Sequence, residues 1–306
     1  MRKFWYLLLS IISIILFNCC DMGVKRFKPE TYFSHKVDLE MDMANAIYHG
    51  DKKRVKDYIN TGRVDINKPG EAGFTYLLYA IFLERYDIVR VLLELGADPN
   101  QLSVVKHPDG GIEHLTPLYC ICRNHWYPIK YIKLLVKKGA NVNDDSEYSP
   151  LIACIENSGK DQKKVRYLIE HGAKVNHEYK NGWTPIQTAA IVGRLDLVDM
   201  LWNEYNADPL YHSKNGTSLA FVIQNDIDNN LGTPKYIAHA RDIMERLKKL
   251  GVQFPVSLKP EESVEEKADS AITESIQPDV PSGCHENLIK PTFITSTSIG
   301  VKRDTL

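Results

Sequence analysis

The chain has 306 residues, 43% of them hydrophobic and 25% charged, a balance that excludes a wholly disordered polypeptide and allows a sizeable core. Its 38 Lys and Arg against 39 Asp and Glu leave a formal net charge of −1. The overall positive field needed to neutralise a phosphate backbone is missing, so nucleic acid is not an expected partner.

Met1-Arg2-Lys3 is a short basic start, Phe4 to Phe17 is an unbroken run of apolar or hydroxyl residues, and Asn18-Cys19-Cys20-Asp21 ends it. That layout is the one of an export signal, and a run of 14 residues falls short of the roughly 20 that a membrane-spanning helix needs. Residues 1–20 resemble a bacterial lipoprotein signal, in which a cysteine just after the apolar run is acylated and becomes the new N-terminus. The resemblance implies lipidation at one of two residues, Cys19 or Cys20. Family members normally carry Gly, Ala or Ser before the acylated cysteine, and Asn18 and Cys19 depart from that pattern. A cleaved secretory signal and an uncleaved N-terminal anchor are the alternatives. Residues 21–41 are expected to be a tether, which as a flexible coil of about 20 residues reaches roughly 25 Å.

From residue 42 onward the chain repeats itself. "LLELGADPN" at 92–100 returns as "LLVKKGANVN" at 134–143, as "LIEHGAKVN" at 168–176 and in worn form as "LWNEYNADP" at 201–209. The closing asparagines Asn67, Asn100, Asn143 and Asn176 are 33, 43 and 33 positions apart, a unit of 33 with ten residues added once. Upstream lies a second signature: Thr75-Tyr76-Leu77, Thr116-Pro117-Leu118, Ser149-Pro150-Leu151 and Thr184-Pro185-Ile186. Thr or Ser caps the orphan amides of a helix start, and Pro at the next position sacrifices no bond there. A second helix follows with one apolar stripe, such as Ile88, Val91, Leu92 and Leu95, and stops at Gly62, Gly96, Gly139, Gly172 or Gly251. A period of 33 with a Thr-Pro-Leu opening is similar to the ankyrin-repeat family. The resemblance implies an all-α solenoid of about six helix-turn-helix units with β-hairpin-like turns, over residues 42–254. The units run at about 42–67, 73–100, 116–143, 147–176, 182–210 and 216–254, the first as a capping unit and the last the weakest match. Residues 255–306, rich in Ser, Thr and Glu, are expected to be a disordered tail.

No Gly-rich phosphate loop, H-E-x-x-H, G-x-S-x-G or paired C-x-x-C occurs, so enzymatic activity, a cofactor and a metal are not expected. His107, Asp109, Glu113 and His114 share the ten-residue insertion and read as a solvated loop rather than as ligands. Cys120, Cys122 and Cys154 fall on first helices, where they read as buried thiols filling small-residue slots.

A partner would sit on the concave face that the first helices and turn tips of such a stack line. Two slots are not dictated by packing. The residue before the capping Thr or Ser is Phe74, Tyr148 or Trp183. The residues seven and eight positions after it are Phe82 and Leu83, Arg123 and Asn124, Glu156 and Asn157, or Ile191 and Val192, with Tyr48 and His49 equivalent in the first unit. Large apolar side chains facing water have the composition of an interface core. The partner-binding candidates are therefore Tyr48, Phe74, Phe82, Leu83, Arg123, Tyr148, Glu156, Trp183 and Ile191. For Phe82 and Leu83, packing under the insertion is the competing reading, and for Ile191 packing against the sixth unit.

The two resemblances together imply a non-enzymatic, lipid-anchored binding protein of the cell envelope, facing the periplasm or the surface. More specific expectations are an immunity protein that masks a co-encoded exported toxin such as a lipase, or a secreted effector that binds a host protein.

Overall fold

The computed structural model describes residues 28–33, 38–106, 111–144, 149–157, 159, 162–180 and 182–258. Cys19, Cys20, the rest of the signal segment, Tyr148 and the tail from residue 259 lie outside the described residues. Two compact units divide the chain, residues 1–180 and 181–306.

The described part of the first unit opens with a short 3-10 turn at Pro29–Thr31, and four helix pairs follow: α1 (Asp38–His49) with α2 (Lys52–Asn60), α3 (Tyr76–Phe82) with α4 (Tyr86–Glu94), α5 (Pro117–Arg123) with α6 (Ile129–Lys137), and α7 (Pro150–Asn157) with α8 (Lys163–Glu170). The second unit holds two pairs, α9 (Pro185–Ile191) with α10 (Leu195–Tyr205), and α11 (Leu219–Asp228) with α12 (Pro234–Lys249). The repeat architecture is the expected one, a run of two-helix units.

Capping explains where the helices start. Thr75 accepts from the Leu78 amide at 3.2 Å, Thr116 from Tyr119 at 3.4 Å, Ser149 from Ile152 at 3.4 Å and Ser218 from Phe221 at 3.1 Å. Each bond satisfies one of the donors that a helix start leaves without a partner. Where the helices stop, Gly96, Gly139 and Gly172 take φ values of +99°, +91° and +96°. In the worn fifth repeat Asn206 adopts the left-handed conformation instead, at φ +54°, because its short polar side chain tolerates that region better than most.

In the first unit the inner helices α1, α3, α5 and α7 pack each against the next, and in the second α9 packs against α11. The core is the apolar faces of these helices and of their outer partners: Leu77, Leu78 and Ile81 with Ile88 and Leu92, then Leu118 and Ile121 with Ile132 and Leu135. Burying one such side chain is worth about 1.5–3 kcal/mol.

The closing asparagines join one repeat to the next. Asn67 accepts from the Asp98 amide at 2.8 Å. Asn100 accepts from the Asn141 amide at 2.7 Å and donates to the Gly139 carbonyl at 2.9 Å. Asn143 does the same one repeat on, accepting from Lys174 at 2.9 Å and donating to Gly172 at 2.8 Å.

Two segments differ from expectation. The ten-residue insertion is not merely a solvated loop: it builds an antiparallel hairpin, β1 (Ser103–Lys106) with β2 (Ile112–Leu115), pairing Ser103 with Leu115 and Val104 with His114. Alternation drives it, since Ser103, Val105 and Leu115 are buried while Val104 and Ile112 face out. His107 and Asp109 of the insertion lie outside the described residues. Within the stretch expected to be a tether, Phe33 is buried against Tyr76 and Tyr79, with ring centroids 5.1 and 5.2 Å away. The segment 28–33 is part of the first unit's core, not a free linker.

Candidate partner-binding face

The sequence candidates sort into those that packing consumes and those it leaves accessible. Phe74 and Leu83 were expected to see water, and both are buried, at 4% and 6% exposure. Phe74 is covered by Tyr32, whose ring lies 4.6 Å away edge-on, and it touches Phe82 at 5.1 Å. Leu83 caps the C-terminus of α3, its amide bonded to the Tyr79 carbonyl, and its side chain turns into the core. These two are corrected from binding candidates to core residues.

The residues that remain accessible in the first unit are one per inner helix. Tyr48 on α1 and Phe82 on α3 are half-buried, and Arg123 on α5 and Glu156 on α7 are exposed. Phe82, Arg123 and Glu156 stand seven positions after their capping Thr or Ser, and their helices are neighbours in the stack, so with Tyr48 they form a row across four repeats. Arg123 pairs with Glu113 of β2, which ties the hairpin to this row. Although Glu156 is exposed at its surface, the protein packed around it partly desolvates its carboxyl and raises its pKa. The adjoining positions do a different job: the Asn124 and Asn157 side chains donate back to the Cys120 and Ala153 carbonyls at 2.7 and 3.0 Å, closing α5 and α7.

In the second unit Trp183, just before the capping Thr184, and Ile191, the last residue of α9, are half-buried, as is Val192. Tyr148 lies outside the described residues.

Other features of the repeats are structural. Cys120, Cys122 and Cys154 are free and fully buried thiols, and burial pushes the Cys120 thiol up to about 12, which leaves it protonated and unreactive at neutral pH. The buried Lys164 donates to the Asn124 and His125 carbonyls, at 3.0 and 3.3 Å, and so closes the turn between α5 and α6. Gln187 takes the middle of α9: it donates to the Tyr211 and Thr217 carbonyls, both at 3.0 Å, and accepts from Ser213 at 2.5 Å. Among the described residues no group of three or more His, Cys, Asp and Glu is placed to hold a metal ion, and no helix is long and apolar enough to cross a membrane.

The sequence reading missed the inter-repeat role of Asn67, Asn100 and Asn143, though their regular spacing was the signal. It also missed the hairpin, for which Pro108-Asp109-Gly110-Gly111 between Val104-Val105 and Ile112 was the cue.

Comparison with known proteins accords with the repeat geometry. Residues 101–179 match a family model of ankyrin repeats in several copies, and residues 72–101 and 181–210 match a single ankyrin repeat. The fowlpox virus ankyrin repeat protein FPV222 is 28% identical over 154 residues, covering 50% of this chain and 19% of its own length. The ankyrin repeat protein YahD of Escherichia coli K12 is 28% identical over 195 residues, covering 54% of this chain and 96% of its own length. The chain thus spans about a fifth of the viral relative and nearly all of YahD. Among solved structures, the ankyrin repeat domain of Bcl-3 superimposes with a TM-score of 0.50 at 19% identity, over 59% of this chain and 78% of that one.

Proposed function

We propose, from the ankyrin repeats that residues 72–210 form, that this chain is a non-enzymatic binding protein whose inner-helix row in the first unit recognises a partner protein, while a lipid on Cys19 or Cys20 holds it at a membrane. Ankyrin repeats point to protein–protein interaction, and nothing among the described residues adds chemistry to that. The single observation that supports the row is its register. Tyr48, Phe82, Arg123 and Glu156 recur one per repeat, and on α3, α5 and α7 the other residues are almost all consumed by capping and core. A rigid stack that presents such side chains loses little conformational entropy on binding.

Membrane attachment rests on the lipoprotein-like segment with Cys19 and Cys20. Masking of a co-encoded exported toxin and binding of a host protein are the specific forms this activity takes under that reading.

The test is crosslinking of the full chain in intact cells, comparing wild type with a Tyr48→Ala, Glu156→Arg double variant, followed by binding of the purified pair. Loss of one captured protein in the variant, reproduced with purified components, supports the row. A partner retained by the variant removes the row from consideration.

A further inference from the structure

The hairpin presents a mixed surface of aliphatic and basic positions that the repeats do not use. β1 and β2 bury Ser103, Val105 and Leu115 on one side. On the other side Val104 and Ile112 are 38% and 63% exposed and Leu102, just before β1, is 39% exposed, three of the six large hydrophobic residues that lie open among the described residues, and the register places His114 and Lys106 on the same side. A soluble surface has no reason to gather half of its exposed large hydrophobics on one short ribbon, so this face calls for an occupant.

Where the N-terminal segment meets the first unit identifies that occupant. The described chain begins at Lys28, and Phe33, five residues on, is locked into the unit. The Tyr32 carbonyl accepts from the Ala72 amide at 3.2 Å, and a Cβ on Gly70 would lie 2.6 Å from the Phe33 ring. Three residues further along the same turn, a Cβ on Gly73 would lie 1.8 Å from the Val104 carbonyl oxygen, which occupies that volume. The 28–33 segment, the 70–74 turn and strand β1 therefore form one contiguous edge. At most eight residues, 20–27, separate an acylated Cys19 or Cys20 from Lys28, and at ~3.3–3.6 Å per residue they reach about 30 Å. With Phe33 docked in the unit, a lipid on that cysteine holds this edge close by.

We infer that the outward face of the β1–β2 hairpin, Leu102, Val104 and Ile112, is a lipid-contact surface that seats the first unit on the bilayer holding the N-terminal segment. The inference rests on the reading that residues 1–20 anchor the chain. Its chemistry is that of an interfacial contact: aliphatic side chains enter the boundary between headgroups and acyl chains, and the adjacent anchor supplies the local concentration that a patch this small needs. The contact would orient the first unit rather than add much to attachment.

The experiment uses the full chain with Ile112→Trp, a position exposed enough to accept the change, reconstituted with phosphatidylcholine vesicles carrying ordinary or brominated acyl chains. The wild-type chain, with its four native tryptophans, supplies the background. Flotation of the chain with the vesicles and at least twofold quenching of the introduced indole's emission by brominated lipid is the expected result. Flotation without quenching overturns the hairpin contact and leaves anchoring standing. A chain that does not float overturns anchoring and the hairpin contact together. Emission that shifts to the blue only when a second protein is added makes the face a protein interface and overturns the inference.

Discussion

The two units join their repeats by different chemistry. In the first, one side chain recurs at every junction beside contacts that occur once: Asn67, Asn100 and Asn143 each bond to the backbone of the next repeat's turn. In the second, the last junction is held by side chains that occur once. Arg246 on α12 donates to Asp199 on α10 at 2.5 Å and to Asn203 at 3.0 Å, and its guanidinium stacks on Trp202 at 4.1 Å, while His239 meets the other Asp199 oxygen at 2.6 Å. Backbone geometry is alike from one repeat to the next, so a bond to backbone can be written once and copied. A side-chain network depends on two particular surfaces and cannot. The sixth repeat, the poorest match in sequence, is thus held by a network of its own.

The largest blow to the first unit is a cavity. Leu92 on α4 is fully buried, and Leu92→Ala is expected to cost about 2–5 kcal/mol, read as a lowered midpoint in urea. If denaturation proceeds in two transitions, the earlier one should belong to the unit that carries the change. A coincident shift of both would show that the two units unfold as one. Next comes the copied junction. Asn100→Ala leaves the Asn141 amide and the Gly139 carbonyl without their partner and is expected to cost about 1–3 kcal/mol. Asn143→Ala, at the equivalent bond, should match it. Unequal costs at the two sites would break the claim that the junctions are copies.

The fold was legible wherever a residue's job recurs. Thr116-Pro117 and Gly139 announce a helix start and stop because capping and the left-handed region admit few residue types. The worn repeat was readable for the same reason, Asn206 being the next best occupant of a glycine position. The candidate face was legible only in part, since exposure depends on what covers a residue from elsewhere in the chain. Nothing near Phe74 in sequence reveals that Tyr32 lies over it, and nothing near Val104 reveals that its carbonyl nests against Gly73. Non-local cover leaves no periodic trace. The Asp199 network was hidden for a related reason: charged residues on an outer helix normally read as a solvated face.

That network gives the smaller effect. Asp199 and Arg246 are about a third and a quarter exposed, so their pairing is screened, and Arg246→Ala is expected to cost about 1 kcal/mol, most of it from the lost stacking on Trp202. The cost should shrink in high salt only as far as the ion pair contributes. A salt-independent cost would assign the junction to stacking alone. A cost as large as that of Asn100→Ala would erase the distinction between copied and one-off junctions.

The smallest expected effect tests the face itself. If Glu156 is kept for a partner, its carboxylate does nothing for the isolated fold, and desolvation by the surrounding protein raises its pKa. A carboxyl whose folded pKa lies above its unfolded value stabilises the fold fully only below the unfolded pKa, and that contribution is lost as pH rises through the folded one. At neutral pH Glu156 is thus a slight burden, and Glu156→Gln should leave stability within about 0.5 kcal/mol of wild type, on the favourable side, with a flatter pH profile between the unfolded carboxylate pKa and neutrality. Partner capture should fall in the same variant. Stability lost at neutral pH, with capture intact, would instead make Glu156 a structural residue and leave Tyr48, Phe82 and Arg123 to carry the row without it.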